Sequence, residues 1–512
     1  MNMPNSKRAL PGRLILSVAL ASLLAGCAIA PAKLKHPVLR DDVPLAGLQL
    51  PTRAGWPTAE WWRSYHDTQL DSLMAQALRQ SPSLSQAHAR VRTAEQSVRL
   101  AAAQAGLTVN GNAQVSRQRI SEHGLMPPKL LGFTWYNQAD LGVQFQYEFD
   151  WWGKKRDAID AALDQAHAAE AQRSAAALAI ENAVADTYFG WLADEARLAL
   201  ANKAVATQQQ LLRIARLRVA RGVDLSDTVQ QATSNLAAAR QLALTIDSSA
   251  RIRKVALAAL LGVDTDHLPA LHPRQLPAVS GALPANARID LIARRPDIAA
   301  SRWEVEAALK QTDEARAQFF PDISISAMAG LSSTDQATPA LFGGGGSGSL
   351  GNLFSAGSRV FNLTPAIHLP IFEGGRLRAA YGVSRAQLDA AVSQYNAVVT
   401  DAARDVATQA LSAEQIASRR RQQATQLQAD RELLAAAQAR VRQGVLDART
   451  SLAATARLLQ QQDTSISLHA QALSTDLALI KALGGGYDMP TPGQQRPTTH
   501  STKTSTSGAP TP

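Results

Sequence analysis

Few residues of this chain are arranged to do chemistry. Its one cysteine, Cys27, could carry a covalent group, and without a second cysteine no intramolecular disulfide can form. The ten histidines are scattered. No HExxH pattern or other metal-ligand spacing occurs, and no nucleophile stands at a readable distance from a base. Gly343-Gly344-Gly345-Gly346-Ser347-Gly348 superficially suggests a phosphate cradle. It lacks the Lys-Ser/Thr ending that such a cradle needs and falls between two strand candidates, so it reads as a hairpin loop. The sequence therefore predicts no enzyme, no metal site and no cofactor beyond a group attached to Cys27.

The surroundings of Cys27 say what that group is. Lys7, Arg8 and Arg13 precede an apolar run from Leu14 to Leu24, too short to span a bilayer and patterned as a secretory signal. The run ends in Leu24-Ala25-Gly26-Cys27, which resembles the lipobox of bacterial lipoproteins. There, cleavage leaves the cysteine first and its sulfur takes a diacylglycerol. The expectation is a signal peptide at 1–26 and a covalent lipid on Cys27, with Ala28 after it, a residue that permits sorting to the outer membrane by analogy with such lipoproteins. Losing the three cations takes the formal charge from +10 to nearer +7. The remaining arginines are interleaved with Asp, Glu and Gln, and no basic stripe with stacking aromatics is present, which argues against a nucleic-acid partner.

These residues sit in a chain that is a tandem duplication. A shift of 214 places Pro82 on Pro296, Val91 on Val305, Ala94 on Ala308 and Gln104 on Gln318. A shift of 222 then aligns Gly153 with Gly375 and Val184 with Val406. It also aligns Arg218-Val219 with Arg440-Val441, Gly222-Val223 with Gly444-Val445 and Leu261-Gly262 with Leu483-Gly484. The single change of register falls where the second copy holds its glycine-rich run, as an inserted surface loop would.

Each copy reads helix, strand, loop, strand and then a long proline-free segment. The first helices are expected at about 68–104 and 286–318. Aromatics are only 5% of the chain, and the long segments are rich in Ala, Leu, Gln and Arg, which lose little entropy in a helix. Leu388, Val392, Tyr395, Val399, Ala402 and Val406 step by 4, 3, 4, 3 and 4, a seam for helix-on-helix packing. A helix over 154–221 would run ~100 Å at ~1.5 Å per residue, too long for a compact domain of this size. Gly222 and Gly444 interrupt the segments at equivalent places. A hairpin fits there, with glycine ending one helix and Ser or Asp capping the next; a kink in one continuous helix is the alternative.

Four segments alternate apolar and polar residues as strands do. Leu107, Val109, Ala113 and Val115 mark the first; Leu141, Val143, Phe145, Tyr147 and Phe149 the second. Ile323, Ile325, Ala327 and Ala329 mark the third, and the fourth runs from about Phe361 to Ile371. About 10 residues is the length of a tilted membrane strand. Trp135, Tyr136, Trp151 and Trp152 flank them as interfacial aromatics would. A pair of soluble hairpins would alternate in the same way. If the strands lie in lipid, four cannot close a barrel, so several chains must pool theirs.

Trp61-Trp62 with Leu70, Leu73 and Leu78, then Arg294-Arg295-Pro296-Asp297-Ile298 and Phe319-Phe320-Pro321-Asp322-Ile323-Ser324, resemble the TolC-like outer-membrane factor family. Leu369-Pro370-Ile371-Phe372-Glu373-Gly374-Gly375-Arg376 is the most specific match. The resemblance is to the lipoprotein branch that serves RND-type efflux pumps, and it covers about 24–486. It implies a mainly α fold with membrane β: a homotrimer sharing a 12-stranded barrel, four strands per chain, continuous with a long α-helical periplasmic barrel. It also implies an exit duct of a tripartite pump, passive, with a periplasmic adaptor, an inner-membrane pump and outer-membrane lipid as partners. The helical turns would dock the adaptor through Arg218, Gly222, Val223, Arg440, Gly444 and Val445. Asp224, Asp227, Arg442 and Asp447 would contribute charge contacts that keep the tip closed.

The expected organisation follows. After the signal come a lipidated arm and equatorial segment (27–67), a first repeat (68–263), a proline-rich linker (264–285), a second repeat (286–486) and a disordered tail (487–512). Two rivals stand beside the efflux reading: the duct of a type I protein-secretion system, and a structural coiled-coil lipoprotein without a pore, which would need no amphipathic strands.

Overall fold

The computed structural model describes residues 31–40, 52–53, 55–123, 127–279, 283–284, 287–336 and 348–488. The expectations for 1–26, Cys27, the glycine run at 343–347 and the tail from 489 lie outside these residues. The chain divides into two units, one holding 1–40, 83–173 and 300–399 and the other 41–82, 174–299 and 400–512. No described helix is long and apolar enough to cross a membrane.

Two helices open each repeat where one was expected: α1 (Thr68–Gln80) and α2 (Pro82–Ala105), then, in the second repeat, α5 (Ala287–Arg294) and α6 (Pro296–Ala317). Both breaks fall at the residue before a proline, whose ring drives its predecessor out of the helical region; Ser81 adopts ψ 125°. The long segments are α3 (Lys154–Ala220) and α7 (Arg376–Arg442), each 67 residues. Each is followed by a return helix, α4 (Ser226–Leu261) and α8 (Ala448–Ala482).

The first unit is built on an antiparallel sheet of β2 (Thr108–Arg119), β3 (Trp135–Phe149), β5 (Asp322–Thr334) and β6 (Arg359–His368), in that spatial order. Two short strands, β1 (Thr52–Arg53) and β4 (Leu283–Pro284), pair in the other unit. Residues directly opposite in a ladder point to one face. The rows Val109–Phe145–Ala327–Leu363 and Ala113–Leu141–Leu331 therefore make an apolar face. The rows Asn110–Gln144–Met328–Asn362 and Thr108–Gln146–Ser326–Thr364 belong to the opposite, polar face. The apolar face is largely uncovered: Val115, Phe361 and Ile367 are more than 70% exposed. The helices join one end of the sheet, where Lys154 Nζ bonds Glu148 at 3.0 Å and Asp322 at 3.3 Å. There Trp152 stacks on Phe320 at 4.8 Å and donates to the Pro321 carbonyl. Residues 31–40 lie along α6 and α7, where Tyr395 donates to the Arg40 carbonyl and Arg316 to that of Pro31.

The core of the second unit is aromatic. Trp61, Trp62 and Tyr65 are buried with Leu70, Leu73, Met74, Tyr188, Phe189 and Trp191. Tyr65 meets Phe189 edge to face at 5.1 Å and donates to Asp476 at 2.8 Å. The linker joins this unit through Arg274, paired with Asp67, and through the Pro277 carbonyl, 2.8 Å from His469 Nε2.

The duplication is legible in three dimensions. Gly262 closes the first repeat against its own helix break, where an added Cβ would stand 2.6 Å from the Gln80 carbonyl oxygen. Gly484 does the same in the second repeat, where a Cβ would stand 1.8 Å from that of Arg294. The seam predicted on α7 is buried at Leu388, Tyr395, Val399, Ala402 and Val406, with Val392 half-buried.

Candidate functional site

The helix turns at Gly222 and Gly444 are hairpins, not kinks. Both glycines are left-handed, at φ 68° and φ 71°. Gly222 N–H donates to the Val219 carbonyl at 2.9 Å and Val223 N–H to that of Arg218 at 2.8 Å. Gly444 and Val445 repeat the pair on Val441 and Arg440 at 3.0 and 2.9 Å. These are the crossed bonds of a Schellman turn, in which glycine is needed for its dihedral. Space is not the constraint, since nothing lies within 4 Å of a Cβ at either position. The Arg-Val and Gly-Val matches between the copies are thus the acceptors and donors of one turn built twice.

The following helices start differently. Leu225, not Ser226 or an Asp, occupies the N-cap of α4, with no side-chain cap bond. In the second turn Asp447 does cap α8, accepting from Arg449 N–H at 2.9 Å. The Asp224 carboxylate is taken up elsewhere.

It enters a closed ring of four charges drawn from both repeats. Arg218 grips Asp224 with Nε and Nη2 at 2.7 and 3.0 Å and reaches Asp447 with Nη1 at 3.3 Å. Arg449 completes the ring, 3.1 Å from Asp224 through Nη1 and 3.1 Å from Asp447 through Nε. The fork on Asp224 is the strong bidentate geometry. The Arg218 guanidinium, with Arg449 beside it, holds Asp224 below the usual carboxylate range. Asp447 is held down chiefly by the Arg449 amide and guanidinium.

Of the charged residues read from the sequence, Asp224 and Asp447 meet here. Among the described residues neither Asp227 nor Arg442 forms an ion pair, and the Arg440 side chain forms none, its carbonyl alone serving the turn. Arg218 belongs to the ring as well as to the turn. Arg449 was missed, though a signal exists: by the 222-residue shift it stands where the first copy has Asp227. Around the ring, Val223, Leu225 and Val445 are exposed at 58, 77 and 67%.

Known proteins share this organisation. The family model for outer membrane efflux protein matches residues 73–263 and 289–485, one match per repeat. The chain is 31% identical over 492 residues to the multidrug resistance outer membrane protein MdtP of Escherichia coli strain K12, covering 93% of this chain and 97% of that one. It is similar in structure to the outer membrane protein VceC of Vibrio cholerae, with a TM-score of 0.74 and 32% identity, covering 85% of this chain and 100% of that one. The open state of the MtrE outer membrane channel of Neisseria gonorrhoeae gives a TM-score of 0.69 at 25% identity, covering 90% and 99%. Two hairpin repeats, a four-stranded sheet with one apolar face and these likenesses lead to one conclusion: the chain belongs to the outer membrane efflux protein family.

Proposed function

We propose that this outer-membrane efflux protein works as one third of a passive exit duct, closing a twelve-stranded barrel with two further copies of itself. The observation that carries this reading is the sheet: β2 and β6 each have one partner strand among the described residues, and one face is apolar throughout its middle. Hydrocarbon does not tolerate open strand edges. Four strands per copy make twelve from three copies, the number that the TolC-like resemblance implies, and cyclic symmetry closes the ring.

The polar face then lines the lumen and the apolar face meets lipid. The long hairpins extend into the periplasm. There the two Schellman turns dock a periplasmic adaptor, offering exposed Val223, Leu225 and Val445. The four-charge ring holds the two hairpins of one chain together in the closed state. A lipid on Cys27 anchors the arm. No step of catalysis is assigned to the chain; force comes from an inner-membrane pump, and the cargo is small molecules such as drugs, a reading supported by the words multidrug resistance in the name of MdtP.

The test is electron microscopy of the detergent-purified protein. A three-fold tube with a short barrel at one end supports the duct. A rod without a lumen, or a compact monomer, sinks it in favour of a structural lipoprotein. Loss of drug tolerance on deletion, with protein secretion unchanged, separates efflux from type I secretion.

A further inference from the structure

The two faces of the sheet differ in charge as well as in polarity. On the polar face the charged residues are Asp140, Glu148 and Asp322, all acidic. On the apolar face the charged residues of the strands are Arg117, Arg119 and Arg359; the acid beside them on this face, Asp335 just past β5, is taken up by Asn137, whose N–H and Nδ2 donate to its carboxylate at 2.8 and 2.6 Å. All three arginines are exposed and lie toward the end of the sheet away from the helices. Arg119 faces Trp135 across the ladder, and the Arg117 guanidinium lies over the Trp135 ring at 5.3 Å. Arg119 also reaches Glu122 at 3.6 Å, a loose pair between two exposed side chains in the loop beyond.

The position of the arginines matches a membrane boundary. The apolar face of β3 runs from Phe149 to Ala139, ten residue steps. At ~3.3 Å per step and a tilt of ~40°, that is ~25 Å of height, the thickness of the apolar band of such barrels. Asn137, opposite Arg117, is the first polar residue beyond it. Arginine there extends its guanidinium to the headgroups while its methylenes remain in the apolar layer.

Arg117 and Arg119 lie on β2 and Arg359 on β6, the two edge strands. Within one chain, two strands separate them. When β6 of one copy pairs with β2 of the next, they come onto neighbouring strands ~4.8 Å apart. The cluster is complete only in the closed barrel and recurs at each seam. Three guanidiniums, with Asp335 already bonded by Asn137 and Glu122 only loosely paired, suit a headgroup that carries phosphomonoesters. Planar donor forks grip phosphate bidentately, and a zwitterionic headgroup would bring its own cation into the cluster.

We propose that Arg117 and Arg119 of one copy and Arg359 of its neighbour form a binding site, at each barrel seam, for a phosphomonoester-bearing outer-leaflet glycolipid of the lipid A type. The proposal rests on the duct reading above, which places this end of the sheet outside. It gives each seam a lipid that bridges two chains.

The test uses the full-length protein in detergent, with oligomeric state and bound lipid read by native mass spectrometry. Dispersed lipid A is the probe, and phosphatidylcholine and phosphatidylglycerol are the comparisons. The wild-type trimer is expected to keep lipid A adducts and to gain thermal stability from them. The double variant R117Q/R359Q should stay trimeric and bind at least about tenfold more weakly, given what charged hydrogen bonds contribute. R117K/R359K, with charge but no fork, should fall between. Equal binding by wild type and R117Q/R359Q would overturn the proposal, as would phosphatidylglycerol binding as tightly as lipid A. A trimer that ignores lipid A sinks only the lipid site; a chain that is not trimeric sinks the duct reading and the site with it.

Discussion

Arg218 and Asp447 stand 3.3 Å apart although 229 residues separate them in the chain, and each belongs to a different repeat. Their contact ties together two helical hairpins of the same build. Asp447 is exposed and Arg218, Asp224 and Arg449 are half-buried, so salt, with a screening length of about 8 Å at physiological ionic strength, weakens their attraction without abolishing it. Such a ring is suited to opening. Asp224→Ala, which removes the carboxylate that Arg218 grips bidentately and Arg449 also reaches, is expected to raise single-channel conductance in planar bilayers severalfold. Asp227→Ala, at a residue without an ion pair among the described residues, should leave conductance at the wild-type level. Equal conductance for both variants would take the ring out of the gate.

The turns themselves give a backbone prediction. Gly222 and Gly444 are left-handed with open space around them, so alanine costs only the dihedral, about 1 kcal/mol at each. Gly222→Ala and Gly444→Ala should leave global melting almost unchanged while hydrogen exchange quickens at 216–228 and 438–450. Asparagine, which accepts the left-handed region, should restore most of the protection. A large drop in melting temperature with either alanine would contradict the open surroundings.

Much of this was legible in the sequence because repetition exposes function of position. Arg218-Val219 and Gly222-Val223 could be matched to their copies before the crossed bonds that explain them were visible. The ring was only half legible, because Arg449 acts through a contact between repeats and no local pattern marks it. The break at Ser81 was hidden for the opposite reason: apolar periodicity continues through Pro82, and only the ring of that proline stops the helix. β3 begins at Trp135, before the alternation becomes clear at Leu141. Asn137, a polar residue at an apolar-face position, blurs the pattern there, yet pairing with both β2 and β5 holds the strand. The capping expected of Ser226 failed because a side chain can cap only when it precedes the first helical residue, and Ser226 is that residue.

A buried acid makes stability depend on pH. Glu181 is buried in the second unit, with the Trp61 indole N–H on its carboxylate at 3.2 Å. Burial pushes its carboxyl up to about 7 from 4.5, against the opposing effect of that hydrogen bond. A carboxyl whose folded pKa is raised favours the native state while it is protonated. Its contribution is complete below about 4.5 and is lost as pH rises through about 7. The loss is on the order of 3 kcal/mol if the whole shift acts on stability. Glu181→Gln, which keeps an acceptor for Trp61, should melt higher than wild type at pH 8 and match it at pH 4.5. A constant difference across that range in calorimetry would exclude Glu181 as the titrating group.

The closing glycines are a sharper test of the repeat architecture. At Gly484 a methyl group would overlap the Arg294 carbonyl, backbone that cannot swing aside as a side chain can. Gly484 also holds φ at 92°. Gly484→Ala is therefore expected to cost several kcal/mol and to abolish assembled protein in membranes, since strain and overpacking add. Gly262→Ala, with its nearest backbone atom at 2.6 Å, should be damaging but less so. Full assembly of Gly484→Ala would mean that α5 and the end of α8 are not held together through this contact.

The two faces of the sheet make the most direct test of which side meets lipid. Phe145 and Gln144 are neighbours in β3 but point to opposite faces, opposite Ala327 and Met328 respectively. A cation at the middle of a lipid-facing strand costs about 2–4 kcal/mol, and three copies would carry three of them. Phe145→Arg should therefore block insertion into the outer membrane, leaving the protein protease-sensitive and absent from the heat-modifiable trimer band. Gln144→Arg places the same charge in the lumen, so it should insert normally and shift conductance and ion selectivity. The comparison controls for strand position, side-chain size and charge, because only the face changes. Normal insertion of Phe145→Arg together with failure of Gln144→Arg would invert the barrel, placing the acidic face in lipid and the arginine seam in the lumen.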